Sequence, residues 1–184
     1  MLIDNAMSAF NYLQELDQKF TSNPGSPTAE ESESIQTLHF KVGQYNFLLP
    51  LDNSTEVIMT IDYTSVPICR PWLVGVASHR GELLTLVDLK NFLFNSDPLH
   101  KLNNHRVITN KNESLYLGVV VDQVVGLLNI SEHEKRDSCP AHWDSSVIDF
   151  MTGIYNLDGT YFGMCDMHKI VQDKSFKDTQ KILN

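Results

Sequence analysis

The stretch GVASHRGELLTLVDLKNFL (75–93) decides the fold, because the chain contains it twice. A constant shift of 78 residues lays it on GIYNLDGTYFGMCDMHKIV (153–171), where Gly75 meets Gly153, Gly81 meets Gly159 and Asp88 meets Asp166. The apolar positions agree as well: Val76 falls on Ile154, Leu84 on Phe162, Leu86 on Met164 and Phe92 on Ile170. Self-similarity at one fixed spacing marks a duplicated structural unit. Each copy reads as a strand, a glycine-bearing turn, a second strand and a short helix opened by an aspartate.

Outward from this core, LPLDNSTEVI (49–58) echoes VVVDQVVGLL (119–128) at a shift of 70, with Asp52 on Asp122 and Leu51 on Val121. The runs TLHFKV, YNFLLPL, HRVIT and YLGVVVDQVVGLL are rich in β-branched and aromatic residues and bounded by Gly, Asn, Pro and Asp, the pattern of short strands. The chain from Ile35 onward is therefore expected to be mostly β and to form two similar small lobes. Such lobes usually close into barrels, which hides their strand edges.

Before Ile35 the character differs. Leu2, Ile3, Ala6, Met7, Phe10, Leu13, Leu16 and Phe20 recur at helical spacing, so residues 1–20 are expected to form an amphipathic helix. TSNPGSPTAEESES (21–34) is too polar to repay the entropy of ordering and reads as a tether. The expected organisation is helix 1–20, linker 21–34, folded domain 35–173 and tail 174–184, with the domain able to fold without residues 1–34.

The charge balance narrows the partners. Fourteen Lys and Arg against 23 Asp and Glu leave a net charge of −9, which repels phosphate backbones and acidic lipid surfaces and argues against nucleic-acid binding. Three widely spaced cysteines, Cys69, Cys139 and Cys165, imply no disulfide framework and fit a reducing compartment. No basic, apolar leader begins the chain and no run of about 18 apolar residues occurs, so a cytoplasmic location without membrane insertion is expected.

The chemistry-bearing candidates point away from catalysis. Asp88 and Asp166 each stand where a strand gives way to a helix, the position of an N-cap rather than of an acid or base. Cys139 and His142 form a lone C-x-x-H, short of the three or four ligands that zinc requires, so no metal is expected. The phosphate-binding loops GxGxxG and GxxxxGK[ST] and the hydrolase elbow GxSxG are missing, so neither a cofactor nor an enzymatic activity is expected. Arg80 sits in a turn between two apolar strands; chemistry alone makes it a solvated charge or the partner of a neighbour such as Glu56.

The whole of VPICRPWLVGVASHRGELLTLVDLKNFL (66–93) resembles the signature of the CheW-type chemotaxis coupling proteins: VP, a proline and aromatic, G-V, a spacer, R-G, and an aliphatic strand ending in D-L. The likeness extends through FKVGQYNFLLPLDNSTEVI, YLGVVVDQVVGLL and MTGIYNLDGTYFGMCDM, about residues 35–173 in all. The long N-terminal segment, the RP-W start and RDSCP (136–140) resemble the PilI-like branch, which serves type IV pilus twitching motility.

The resemblance implies two similar five-stranded SH3-like β-barrel subdomains sharing a core, with short capping helices. It also implies a non-catalytic adaptor that bridges the cytoplasmic tip of a methyl-accepting chemoreceptor to a CheA-type histidine kinase at membrane-bound arrays. Partner-binding roles carry over to Glu56, Gly75, Arg80, Asp122 and Val124, and turn or cap roles to Gly81, Asp88, Gly153, Gly159 and Asp166. Two departures stand out: the spacer before Arg80 is ASH where N-L is common, and the second copy has Asp158 where the first has Arg80. The competing possibilities are the regulatory domain of a CheA-type kinase, which shares the fold, and a small oligonucleotide-binding barrel, which the charge disfavours.

Overall fold

The computed structural model describes residues 34–52, 54–66, 70–99, 102, 104–111 and 115–177. The expected N-terminal helix, the tether up to residue 33 and the end of the tail lie outside them. In chain order the elements are β1 (Ser34–Val42), β2 (Tyr45–Pro50), β3 (Glu56–Ile58), β4 (Tyr63–Thr64), β5 (Leu73–His79), β6 (Glu82–Asp88) and α1 (Leu89–Phe94). There follow β7 (Arg106–Lys111), β8 (Tyr116–Val121), β9 (Gln123–Ser131), a 3-10 turn (Glu132–Glu134), β10 (Lys135–Arg136), α2 (Ser145–Ile148), β11 (Met151–Leu157), β12 (Thr160–Cys165) and α3 (Met167–Gln172).

The protein is mostly β, built on two SH3-like sheets with strand orders β10-β11-β12-β2-β1-β9 and β4-β5-β6-β8-β7-β3. Each has five strands and a two-residue sixth, β10 or β4, at one edge. The orders are the same once the repeats are superposed, but each sheet is assembled from both repeats. The hairpin β1–β2 of the first repeat adds to β12 of the second through parallel pairing, with Phe47 opposite Gly163. Hairpin β7–β8 of the second adds to β6 of the first in the same way, with Leu86 opposite Gly118. The two halves have exchanged their first hairpins.

Strand alternation explains why the sheets then cohere. In β2, Phe47 and Leu49 turn to one face and Leu48 to the other; in β8, Leu117, Val119 and Val121 oppose Val120. One face of each sheet closes its own small core: Val74, Leu84, Leu86, Val107 and Val120 in one, Leu48, Ile130, Tyr155, Phe162 and Met164 in the other. The opposite faces meet in a shared core that holds Phe40, Phe47, Leu89, Ile108, Val119, Trp143 and Ile170. A strand buried on both faces loses its polar alternation, as the run LGVVV displays. Trp72 joins this core, stacking on Phe176 at 5.5 Å and meeting Phe92 edge-on at 5.3 Å.

Glycine is required at Gly75, where β5 bulges against β6. Its φ of 155° is one that side chains rarely adopt, and an added Cβ would run into the backbone carbonyl of Thr64.

The helices begin at aspartates. Asp88 accepts from the backbone N–H of Lys90 at 3.0 Å and of Asn91 at 3.1 Å, and Asp166 from that of His168 at 2.9 Å. Burial raises the pKa of Asp88 despite these hydrogen bonds. A raised folded-state pKa means that the charged cap is disfavoured on folding, so its contribution to stability is greatest below the ordinary carboxylate range and falls as pH rises through the shifted value. Asp88→Ala is expected to lower stability by about 1 kcal/mol. Asp88→Asn keeps the acceptor without the buried charge and should melt near the parent protein at pH 7. Thermal unfolding of both variants checks this, and an Asn variant as unstable as the Ala variant would show that the charge itself matters.

Candidate docking site

Hairpin β5–β6 turns through two residues, Arg80 and Gly81, with His79 paired to Glu82. Their φ angles of 53° and 79° make a type I′ turn, whose right-handed twist suits the flanking strands. Hairpin β11–β12 does the same with Asp158 and Gly159 at 48° and 83°. Asp-Gly is what such a turn favours, whereas a non-glycine residue without a short polar side chain costs about 1 kcal/mol in the left-handed region. The first repeat therefore carries an arginine where the backbone prefers the residue found in the second.

The Arg80 side chain is 64% exposed and its Nη1 lies 2.7 Å from Glu56 Oε1 on β3. His79 adds to the group: its Nδ1 is 2.6 Å from the hydroxyl of Tyr116 on β8, and its Nε2 is 3.9 Å from Glu56 Oε2. Beside the turn, Lys111 pairs with Glu82 at 2.7 Å, and Leu83 stands 67% exposed. An exposed ion pair is worth at most about 1 kcal/mol, so Arg80 and Glu56 do little more than offset the turn's strain.

Arg80 and Glu56 are thus brought together, and the other residues tied to partners by the resemblance lie differently. Asp122 is a brace. It forms the connection from β8 to β9, accepts from Gly43 N at 2.6 Å, and lies 3.5 Å from His105 Nε2 and 3.8 Å from Lys90 Nζ. Val124 pairs across the sheet with Phe40 and turns with it into the shared core, 8% exposed, so its side chain packs rather than faces a partner. Gly75 is buried against Thr64 and acts through backbone approach. Gly81 and Gly159 supply the second turn positions, with open space where a Cβ would stand, and Gly153 lies at the bulge of β11.

The sequence offers no signal for Tyr116, and His79 shows in it only as the last residue of the ASH spacer. Tyr116 and His79 are 37 positions apart, and only the neighbouring of β3, β7 and β8 around the hairpin joins them.

Among the described residues, no group of three or more His, Cys, Asp or Glu is placed to hold a metal. Burial pushes the thiol of Cys139 up, and that of Cys165 to about 12, so neither is an activated nucleophile. No helix among the described residues is long and apolar enough to cross a membrane.

With this geometry in view, relatives place the chain. Protein PilI of Pseudomonas aeruginosa is 26% identical over 179 residues, covering 96% of this chain and 98% of its own. Chemotaxis protein CheW of Thermotoga maritima is 25% identical over 150 residues, 82% of this chain and 96% of its own. Protein FrzA of Myxococcus xanthus is 33% identical over 91 residues, half of this chain. The crystal structure of the scaffolding protein TtCheW from Thermoanaerobacter tengcongensis superposes on 77% of the chain and 95% of its own with a TM-score of 0.64, at 19% identity. The model of the CheW-like domain matches residues 36–175, and the chain belongs to that family.

Proposed function

We propose that the protein is a non-catalytic adaptor that couples a methyl-accepting chemoreceptor to a CheA-type histidine kinase in a chemosensory pathway controlling type IV pilus twitching. Arg80 carries the proposal. The backbone of its turn favours the Asp-Gly of the second repeat, and its ion pair with Glu56 is worth too little to account for its presence. The side chain is therefore best explained by what it meets outside the protein, with exposed Leu83 adding apolar contact beside the charge. The relatives named PilI, CheW and FrzA support a chemosensory setting, and the likeness to PilI over nearly its whole length supports the twitching branch.

On this proposal the protein works in the cytoplasm and is recruited to membrane-bound receptor arrays. Affinity capture from a lysate of the source bacterium is expected to recover a histidine kinase and a chemoreceptor, and deletion of the gene to abolish twitching zones. Recovery of neither partner would sink the adaptor. Salt-sensitive binding to single-stranded nucleic acid would favour the small-barrel alternative instead.

A further inference from the structure

We infer that Asp52 is a positioning residue of the docking site: it locks the start of β3 against β7, so that Glu56 holds Arg80 where a partner can meet it. This rests on the proposal that Arg80 is a docking contact.

The backbone alone holds Glu56 weakly. β3 is three residues long and lies at the edge of its sheet beside β7, and the ladder between them begins at Glu56, opposite Thr109. Strand ends with few backbone partners open most readily. Glu56 is nevertheless fixed, with Oε1 2.7 Å from Arg80 Nη1 at the tip of hairpin β5–β6.

Asp52 supplies the restraint. Its Oδ1 accepts from the backbone N–H of Ser54 and from the hydroxyls of Ser54 and Thr55, each at 2.8 Å, forming an Asx turn that leads the chain into Glu56. Its Oδ2 accepts from Nδ2 of Asn110 at 3.3 Å. Asn110 follows Thr109 on β7, so in the register that sets Glu56 against Thr109 it stands across from Thr55. One carboxylate therefore carries the β3–β7 pairing a step beyond its last backbone pair. Burial pushes this carboxyl up, yet the hydrogen bonds from Ser54 and Thr55 outweigh it and hold the pKa below the ordinary value. The ionised group is purely an acceptor, as its donors require.

The second repeat is an internal comparison. Asp122 falls at the place of Asp52, but Val124 and Val125 take the places of Ser54 and Thr55, and Gly126 that of Glu56. There the aspartate accepts from Gly43 N instead. The hydroxyls that bind Asp52 and the glutamate that they lead into occur together in the first repeat and are both absent from the second, so the fold does not itself require this turn.

The test measures, in the full chain, the affinity for the cognate kinase's regulatory domain and for the receptor tip, together with the Arg80 side-chain Nε–H signal in NMR spectra. Asp52→Ala should still melt cooperatively and bind about fivefold more weakly, the factor for one hydrogen bond of ordinary net strength. Its Arg80 signal should move towards the position seen in Glu56→Gln. Asn110→Ala, which cuts the tie to β7 and leaves the turn whole, should act in the same direction to a smaller extent, and it decides the matter if Asp52→Ala does not fold. In a Glu56→Gln background Asp52→Ala should weaken binding no further, because it acts through the glutamate, whereas a purely structural aspartate would weaken both proteins alike. An Arg80 signal unmoved in both single variants, or a loss of affinity that persists without Glu56, overturns the positioning role. If the Arg80 signal moves and yet neither Arg80→Asn nor Asp52→Ala alters affinity, the docking proposal falls, whereas the positioning of the pair is upheld.

Discussion

Arg80→Asn melts at or slightly above the temperature of the parent protein and binds its partner about thirtyfold more weakly: that is the result expected of a residue kept for its side chain. Asparagine accepts the left-handed conformation that the turn imposes at φ 53°, so the variant regains about 1 kcal/mol of local strain. That gain offsets the loss of an exposed ion pair worth about 1 kcal/mol or less. In the complex the balance reverses. Losing a charge-assisted contact while Glu56 and a partner carboxylate stay unpaired costs about 2 kcal/mol, or roughly thirtyfold in affinity. Alanine would blur the test, because it loses the pair and keeps the strain. Glu56→Gln should bind weakly too, and if the two residues act together the double variant loses less than the sum of the single losses. An Asn variant that unfolds, or one that binds as the parent does, defeats the assignment.

The largest effect on folding is expected from separating the repeats. A polypeptide of residues 34–104 holds β1–β6 and one of residues 105–177 holds β7–β12, each a complete sequence repeat and an incomplete structure. In the first, β6 has lost β8, and the hairpin β1–β2 has lost both β12 and β9. The inward faces of Phe40, Phe47, Leu49, Leu89 and Leu93 would stand against water. Each such side chain is worth about 1.5–3 kcal/mol when buried, so a handful exceeds the total stability of about 5–15 kcal/mol that a domain has to lose. Neither piece alone should show a cooperative thermal transition, and mixing the two should restore one. A first piece that melts cooperatively by itself would mean that its hairpin can close on its own sheet and that the exchange is dispensable.

Much of this was legible along the chain, for a local reason. The repeat, the strands and the two hairpins show because a strand's period and a turn's glycine lie within a few residues of each other, as Gly81 and Gly159 do in turns with φ of 79° and 83°. The aspartate caps are local in the same way, since Asp88 bonds to residues two and three places on. Membership of the CheW-like family likewise rests on contiguous motifs.

Tertiary structure alone settled which partners those local pieces choose. Two homologous repeats offer almost the same edge to a hairpin, so nothing in the run YNFLLP says that β2 will lie beside β12 rather than beside β6. Packing settles it, because the exchange lets one face of both sheets meet around Phe40, Phe47, Ile108 and Val119. The same long-range closure covered the face of β9 on which Val124 stands opposite Phe40, while its neighbour Gln123, on the other face, stays exposed. It also gathered Glu56, His79, Arg80 and Tyr116, from three strands and a turn, into one charged group at the surface. Spacing along a sequence records what neighbours in the chain require of one another, while the burial of two-faced strands is a property of the whole molecule.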